Sequence, residues 1–205
     1  MIKGMCIAYE VADGLYLNIT NRCSNRCDFC IRNNGDGAYG SDSLWLEREP
    51  TVAEILDKVF SHSLDKYSEI VFCGYGEPSY RLDDAREVAL KIKEKYPNIK
   101  IRINTNGHSN LINSRDTAPD YSGAFDVVSI SLNTPTPEHY DTLCHPRFES
   151  SHAAMLSFAA AVKNYVPTVI LSVVRQTLTE EELSECERIA EGIGVTLKVR
   201  EYISD

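Results

Sequence analysis

The sequence lacks a fourth cysteine near the three that cluster between residues 23 and 30, although the chain carries seven cysteines in all. Cys6, Cys73, Cys144 and Cys186 are scattered and form no second closely spaced group, so no auxiliary metal cluster is expected. It also lacks an apolar run of the roughly 20 residues needed to span a bilayer. The start, Met1-Ile-Lys-Gly-Met-Cys-Ile-Ala8, has no apolar core of a secretory signal. These absences predict a cytoplasmic protein with no membrane partner. Positive charge is in deficit: 21 Lys and Arg stand against 30 Asp and Glu, for a net charge of −9. Attraction to nucleic acid runs through cations that displace counterions from phosphates, so nucleic acid is not an expected partner. No internal repeat and no low-complexity linker divides the chain. One α/β domain spanning 1–205 is the expectation.

What is present is the segment Asn18-Ile-Thr-Asn-Arg-Cys23-Ser-Asn-Arg-Cys27-Asp-Phe-Cys30, a C-x3-C-x2-C spacing that follows an apolar run. Clustered thiols in a reducing compartment favour metal or redox chemistry over disulfide staples. Three thiolates at this spacing suit three irons of a [4Fe–4S] cluster. Electron-transfer clusters ordinarily take four cysteines. With three, one iron stays open to a small molecule, which suits an enzyme. A Cys3His zinc site is the alternative, with His62 or His108 as fourth ligand. Arg22, Arg26 and Arg32 surround the thiols and are read as compensating anionic charge.

Cys23, Cys27, Phe29 and Cys30 resemble the signature C-x3-C-x-aromatic-C of the radical S-adenosylmethionine (SAM) superfamily. The resemblance runs from about Leu15 onward. It implies a [4Fe–4S] cluster on the three cysteines, with SAM bound at the open iron through its amino and carboxylate groups. An electron from the reduced cluster would cleave SAM to a 5′-deoxyadenosyl radical that abstracts hydrogen from a substrate. An electron donor such as flavodoxin or ferredoxin is implied. Tyr16 to Cys23 and Phe72 to Pro78 look like the short TatD-associated members of that family.

Apolar runs alternate with amphipathic helical patterns. Strands are predicted at 14–20, 69–73, 100–104, 126–132, 168–174 and 195–199. Helices are predicted at 50–59, 82–96, 135–143, 151–164 and 179–192, with a weakly helical stretch at 111–124. Thr179 with Glu182 reads as a capping box. The alternation indicates a parallel sheet with helices packed on it. The family resemblance selects an open (β/α)6 partial TIM barrel. The last predicted strand lies close to residue 205, so no C-terminal auxiliary domain is expected to cover the barrel. The cluster loop spans about 20–49. Its segment 31–49 carries Gly35, Gly37, Gly40, Tyr39 and Trp45, and is read as a substrate entrance.

Ligands of parallel α/β folds collect at the carboxyl ends of strands. The resemblance assigns Gly74, Tyr75, Gly76 and Glu77 to the SAM amino group, with Phe29 in the cluster motif. Asn104, before the turn 105–107, is a further SAM candidate, and His108 a weaker substrate or proton-transfer candidate. Ser129, Ser131 and Asn133 share one face of their strand. Ser131 and Asn133 are SAM candidates, as are Ser172 and Arg175, with Val174 packing on the ligand and Arg200 and Tyr202 approaching adenine through backbone groups. Cys73 and Cys186 are read as buried apolar side chains, and Cys144 is left open. The substrate is unspecified, with a large molecule or a protein among the expectations. The enzymatic alternatives are a glycyl-radical-enzyme activase and a small-molecule enzyme resembling 7-carboxy-7-deazaguanine synthase. The non-enzyme alternative is a zinc-stabilised binding module.

Overall fold

The computed structural model describes residues 4–202. Seven strands form one sheet in strictly sequential order. They are β1 (Ala8–Val11), β2 (Gly14–Leu17), β3 (Glu69–Phe72), β4 (Lys100–Thr105), β5 (Val127–Ser131), β6 (Thr168–Val174) and β7 (Thr196–Arg200). From β2 to β7 every neighbour is parallel, and the two edges do not meet. This is the expected open six-stranded parallel unit, with one addition. β1 pairs antiparallel with β2 across a tight turn with Ala12 at φ 51°. Its run Ala8-Tyr-Glu-Val is too short to stand out as periodic, and only its pairing reveals it. The first predicted strand also stops at Leu17, because Asn18 turns its side chain into the loops around it.

The described residues form six helices: α1 (Val52–Phe60), α2 (Leu82–Lys95), α3 (Ser109–Asn113), α4 (Pro137–Cys144), α5 (Ser151–Val162) and α6 (Glu180–Ile193). The stretch 111–124 resolves into the end of α3 and a separate 3-10 turn, Ala118–Tyr121. Strand alternation separates two environments. Ile101, Ile103, Val128, Ile130, Leu171 and Val173 point outward into one apolar core with Ala85, Val88, Ile92, Met155 and Phe158 of α2 and α5. The intervening residues of β4 to β7 face the concave side, and most are polar. A smaller core of Tyr9, Ala38, Leu44 and Tyr75, with Trp45 and Ile31 packed against it, ties the 31–49 segment to the sheet edge.

Helix starts follow local chemistry. Thr51 with Glu54 and Thr179 with Glu182 both form capping boxes. Each satisfies two backbone donors that the first helical turn leaves free. Thr179→Ala is expected to cost about 1 kcal/mol. For a chain of this size the unfolding midpoint should then fall by about 2–4 °C, which differential scanning calorimetry would register.

Candidate functional site

A cavity of about 480 Å³ opens at the carboxyl ends of the parallel strands. Cys23, Cys27, Cys30 and Phe29 line it from the loop after β2. Gly74 to Glu77 line it after β3, Asn104 to Asn106 at the end of β4, and Ser131 and Asn133 at and just beyond the end of β5. Ser172 and Val174 contribute from β6. Most of the predicted site residues therefore converge on one space.

The cysteine loop is held by other segments rather than by itself. Arg26 N donates to Cys144 O at 2.9 Å and Asp28 N to Leu143 O at 3.0 Å. Those carbonyls at the end of α4 have no partner within their own helix. Arg147 N donates to Ser24 O at 2.8 Å. Ser24 Oγ accepts from Asn106 Nδ2 at 2.7 Å and meets His108 Nδ1 at 3.0 Å. Tyr140 OH meets His108 Nε2 at 3.2 Å and accepts from Asn25 Nδ2 at 3.0 Å. His108 is thus wholly buried, with both ring nitrogens engaged, and burial lowers its pKa to about 4. It is a neutral strut between the cysteine loop and α4.

Burial, with the Glu77 carboxylate beside it, pushes the Cys23 thiol up to about 12. A hydrogen bond with Cys144, then burial, raises Cys27; burial raises Cys30. Arg32 lowers all three. It is fixed by the Asn25 and Tyr75 carbonyls. Arg22 instead turns to Glu49 and Tyr80. Cys144 is fully buried behind Cys27 and does not line the cavity. Among the described residues, no three His, Cys, Asp or Glu side chains close to the spacing of a single metal ion. A multi-iron cluster needs its thiolates further apart than one ion does. His62, the other zinc-ligand candidate, places Nδ1 at 2.9 Å from Lys58 O.

The segment after β3 is a close approach of backbones. A Cβ on Gly74 would sit 2.1 Å from Asn18 Oδ1, and one on Gly76 2.3 Å from Thr20 O. Asn18, absent from the sequence-based candidates, is wholly buried. It donates to Leu44 O at 2.8 Å and Cys6 O at 3.2 Å, and accepts from Tyr75 N at 3.3 Å. Tyr75 OH then lies 2.9 Å from the carbonyls of both Gly35 and Gly37, which share its one hydrogen, while its ring meets Trp45 edge-on at 5.0 Å. The 31–49 segment is therefore anchored at Gly35, Gly37 and Trp45, and its exposed Tyr39 reaches the cavity mouth.

Glu77 is 4% exposed. Its carboxylate accepts from Asn106 N at 2.6 Å, Thr105 Oγ1 at 2.7 Å and Ser79 N at 3.0 Å. Burial raises its pKa and these donors oppose the rise. Asn104 faces Arg102 NH1 at 2.9 Å on the cavity floor, so Asn106 is the residue that meets the cysteine loop. Arg175 does not join the cavity. Val174 takes the inward position, and Arg175 turns outward to Leu178 O and Glu180. Cys73 lines the cavity rather than the apolar core, whereas Cys186 is buried in that core.

Two acceptors remain open beside the thiols. Asn25 Oδ1 and Asn133 Oδ1 are buried without a hydrogen-bond partner. Both residues line the cavity. Buried polar atoms are nearly always paired, so such orphans mark places a ligand completes. Three thiols, an arginine and two unfilled carbonyl acceptors fit a thiolate-bound cluster carrying an ammonium-bearing ligand.

A family model described as Radical SAM superfamily matches residues 17–189. Curated relatives include "Molybdenum cofactor biosynthesis protein 1" of Bos taurus, 28% identical over 192 residues. The Homo sapiens protein of that name is 26% identical. Each match covers 92% of this chain, which spans 28% of the relatives' length. Among solved structures, Streptococcus suis SuiB bound to S-adenosylmethionine superposes with a TM-score of 0.63 at 17% identity, over 92% of this chain and 38% of that one. Methylornithine synthase gives 0.62 at 15% identity, over 93% and 53%.

All three partners of Glu77 are donors, so Glu77→Gln would turn an amide N–H₂ toward another donor. It should cost about 1–3 kcal/mol, seen as a lower midpoint in anaerobic denaturant unfolding. An unchanged midpoint would contradict the buried-carboxylate account. Cys144→Ala should retain the full iron complement in iron analysis, since its sulfur stands outside the cavity.

Proposed function

The chain belongs to the radical SAM superfamily, and on that premise we propose that Cys23, Cys27 and Cys30 hold its [4Fe–4S] cluster and that the adjoining cavity binds SAM and a small-molecule substrate together. The family uses that cluster to cleave SAM reductively, which supplies a 5′-deoxyadenosyl radical for hydrogen abstraction; the cofactors carry the difficult chemistry and the protein orients them. The observation that carries the reading is the convergence of three thiols, the glycine-bearing segment 74–77 and two unfilled amide oxygens on one cavity.

Each group has a role in keeping with its chemistry. The Asn25 and Asn133 carbonyl oxygens accept from the SAM ammonium, aided by backbone carbonyls of the 74–77 segment. Arg32 offsets negative charge at the thiolates. Ser131 and Ser172 bond the ribose hydroxyls, and Val174 packs on an apolar part of the ligand. Glu77 contacts no ligand in this account; it fixes the loops that do. Asn104 falls to the substrate end of the cavity. The cavity volume lies within the ordinary range of small-molecule sites, roughly 300–1,000 Å³. The relatives' printed name, with its reference to cofactor biosynthesis, supports a small molecule in that space.

The Cys23, Cys27 and Cys30 triple alanine variant should lose the broad visible absorbance and all cluster iron. In the native protein, SAM should perturb the EPR signal of the reduced cluster, and dithionite should then yield methionine and 5′-deoxyadenosine. Full iron in the triple variant would overturn the ligand assignment. Failure to form 5′-deoxyadenosine above a protein-free control would overturn the SAM reading.

A further inference from the structure

The cavity has a second positive end, away from the cysteines. Arg102 and Arg200 both line it, as does Lys198. The two arginines differ in how they are satisfied. Arg102 is clamped by both carboxylate oxygens of Glu69, with Asn104 Oδ1 at 2.9 Å and Tyr16 OH at 3.1 Å completing its shell. Among the described residues Arg200 has no such shell. Its Nε is buried with no hydrogen-bond partner. The groups that act most strongly on its charge are Cys73, Tyr39, Arg102 and Tyr16. Burial and the Arg102 charge both pull its pKa below the ordinary value, so the charge there is under-compensated.

Lys198 sits two residues earlier on the same face of β7, opposite Ser172 where Arg200 is opposite Val174. It makes no ion pair among the described residues. Glu201 also lines the cavity, but its carboxylate accepts from Gln176. The guanidinium is half-exposed, with its Nε buried and unpaired and the rest of the fork free to meet a ligand in the cavity; a buried donor left unpaired is costly, and it persists where a ligand repays the cost. In a chain of net charge −9 it cannot be ascribed to a generally basic surface.

We propose that Arg200 and Lys198 bind an anionic group, carboxylate or phosphate, of the substrate. The proposal rests on reading the cavity as the active site. Arginine suits either anion, because its fork presents two parallel N–H donors to two oxygens. Arg102, already spoken for by Glu69, adds positive potential from the floor. The carboxylate of SAM is the other possible source of the same chemistry. Position separates the two: Arg32 is held beside the cysteine loop by the Asn25 and Tyr75 carbonyls, whereas Arg200 lies on the edge strand β7 opposite Val174.

The test uses cluster-loaded protein under anaerobic conditions, titrated calorimetrically with pyrophosphate and with citrate against chloride at equal ionic strength. At least one anion should bind saturably. Arg200→Gln should weaken that binding about tenfold or more while changing SAM affinity less than about twofold. Arg200→Lys, which keeps the charge and loses the fork, should fall between. It also serves if the glutamine variant does not fold. Equal anion binding in both variants, no saturable binding by either anion, or loss of SAM affinity in place of anion affinity would each overturn the proposal. Failure of SAM cleavage in the native protein with anion binding intact would instead overturn the SAM reading alone.

Discussion

The Glu77 carboxylate is the constraint on which the site depends. One buried group gathers the amides of Ser79 and Asn106 and the hydroxyl of Thr105. Its own backbone amide donates to Arg22 O at 2.7 Å, one residue before the first motif cysteine. The turns after β3 and β4 and the cysteine loop therefore share a single anchor. A carboxylate out of water is costly unless each oxygen is met by donors. Here the donors come from separate segments, so their relative positions are fixed together or not at all. That is a stricter requirement than turn propensity, and it accounts for a charged residue in a place that sees almost no solvent.

A second layer extends this anchoring to the cavity rim. The missing Cβ of Gly74 admits Asn18, and the missing Cβ of Gly76 admits the backbone of Thr20 and Arg22. Asn18 passes the constraint to Leu44 and Tyr75, and Tyr75 passes it to Gly35 and Gly37. The 31–49 segment is thus a structured wall with a mobile-looking composition. Its glycines Gly35 and Gly37 serve as carbonyl acceptors, and Gly37 is also a close-packing point against the Ser41 carbonyl.

The parallel strands and the cysteine motif were legible because both are local patterns: alternation along β4 to β6, and three thiols within eight residues. What was not legible depends on partners far away in the chain. Nothing near Asn18 announces that its amide spans three segments. Asn104 and Asn106 are equivalent as sequence; only the end of β4 at Thr105 and the distance to Ser24 separate them. Arg175 illustrates the opposite failure: the strand end at Val174 is as expected, yet Arg175 stands three residues from Ser172, an odd spacing that puts it on the other side of the chain. Cys144 lies 114 residues from Cys30, a separation read from the chain numbering, yet its sulfur touches Cys27.

The clamp of the cysteine loop on α4 also has a bearing on the order of events during folding. The amides of Arg26 and Asp28 find their acceptors only at residues 143 and 144, and Ser24 is met by the amide of Arg147. Sequential strand order lets neighbouring βα units assemble progressively, and chains begin folding from the N-terminal side while still being synthesised. The thiols are therefore made early but positioned late, after α4 has docked. During that interval they are exposed nucleophiles in a chain that has not yet built their site. Hydrogen exchange should show it: the Arg26 and Asp28 amides ought to gain protection together with α4 rather than with β2, and protection in step with β2 would refute this order.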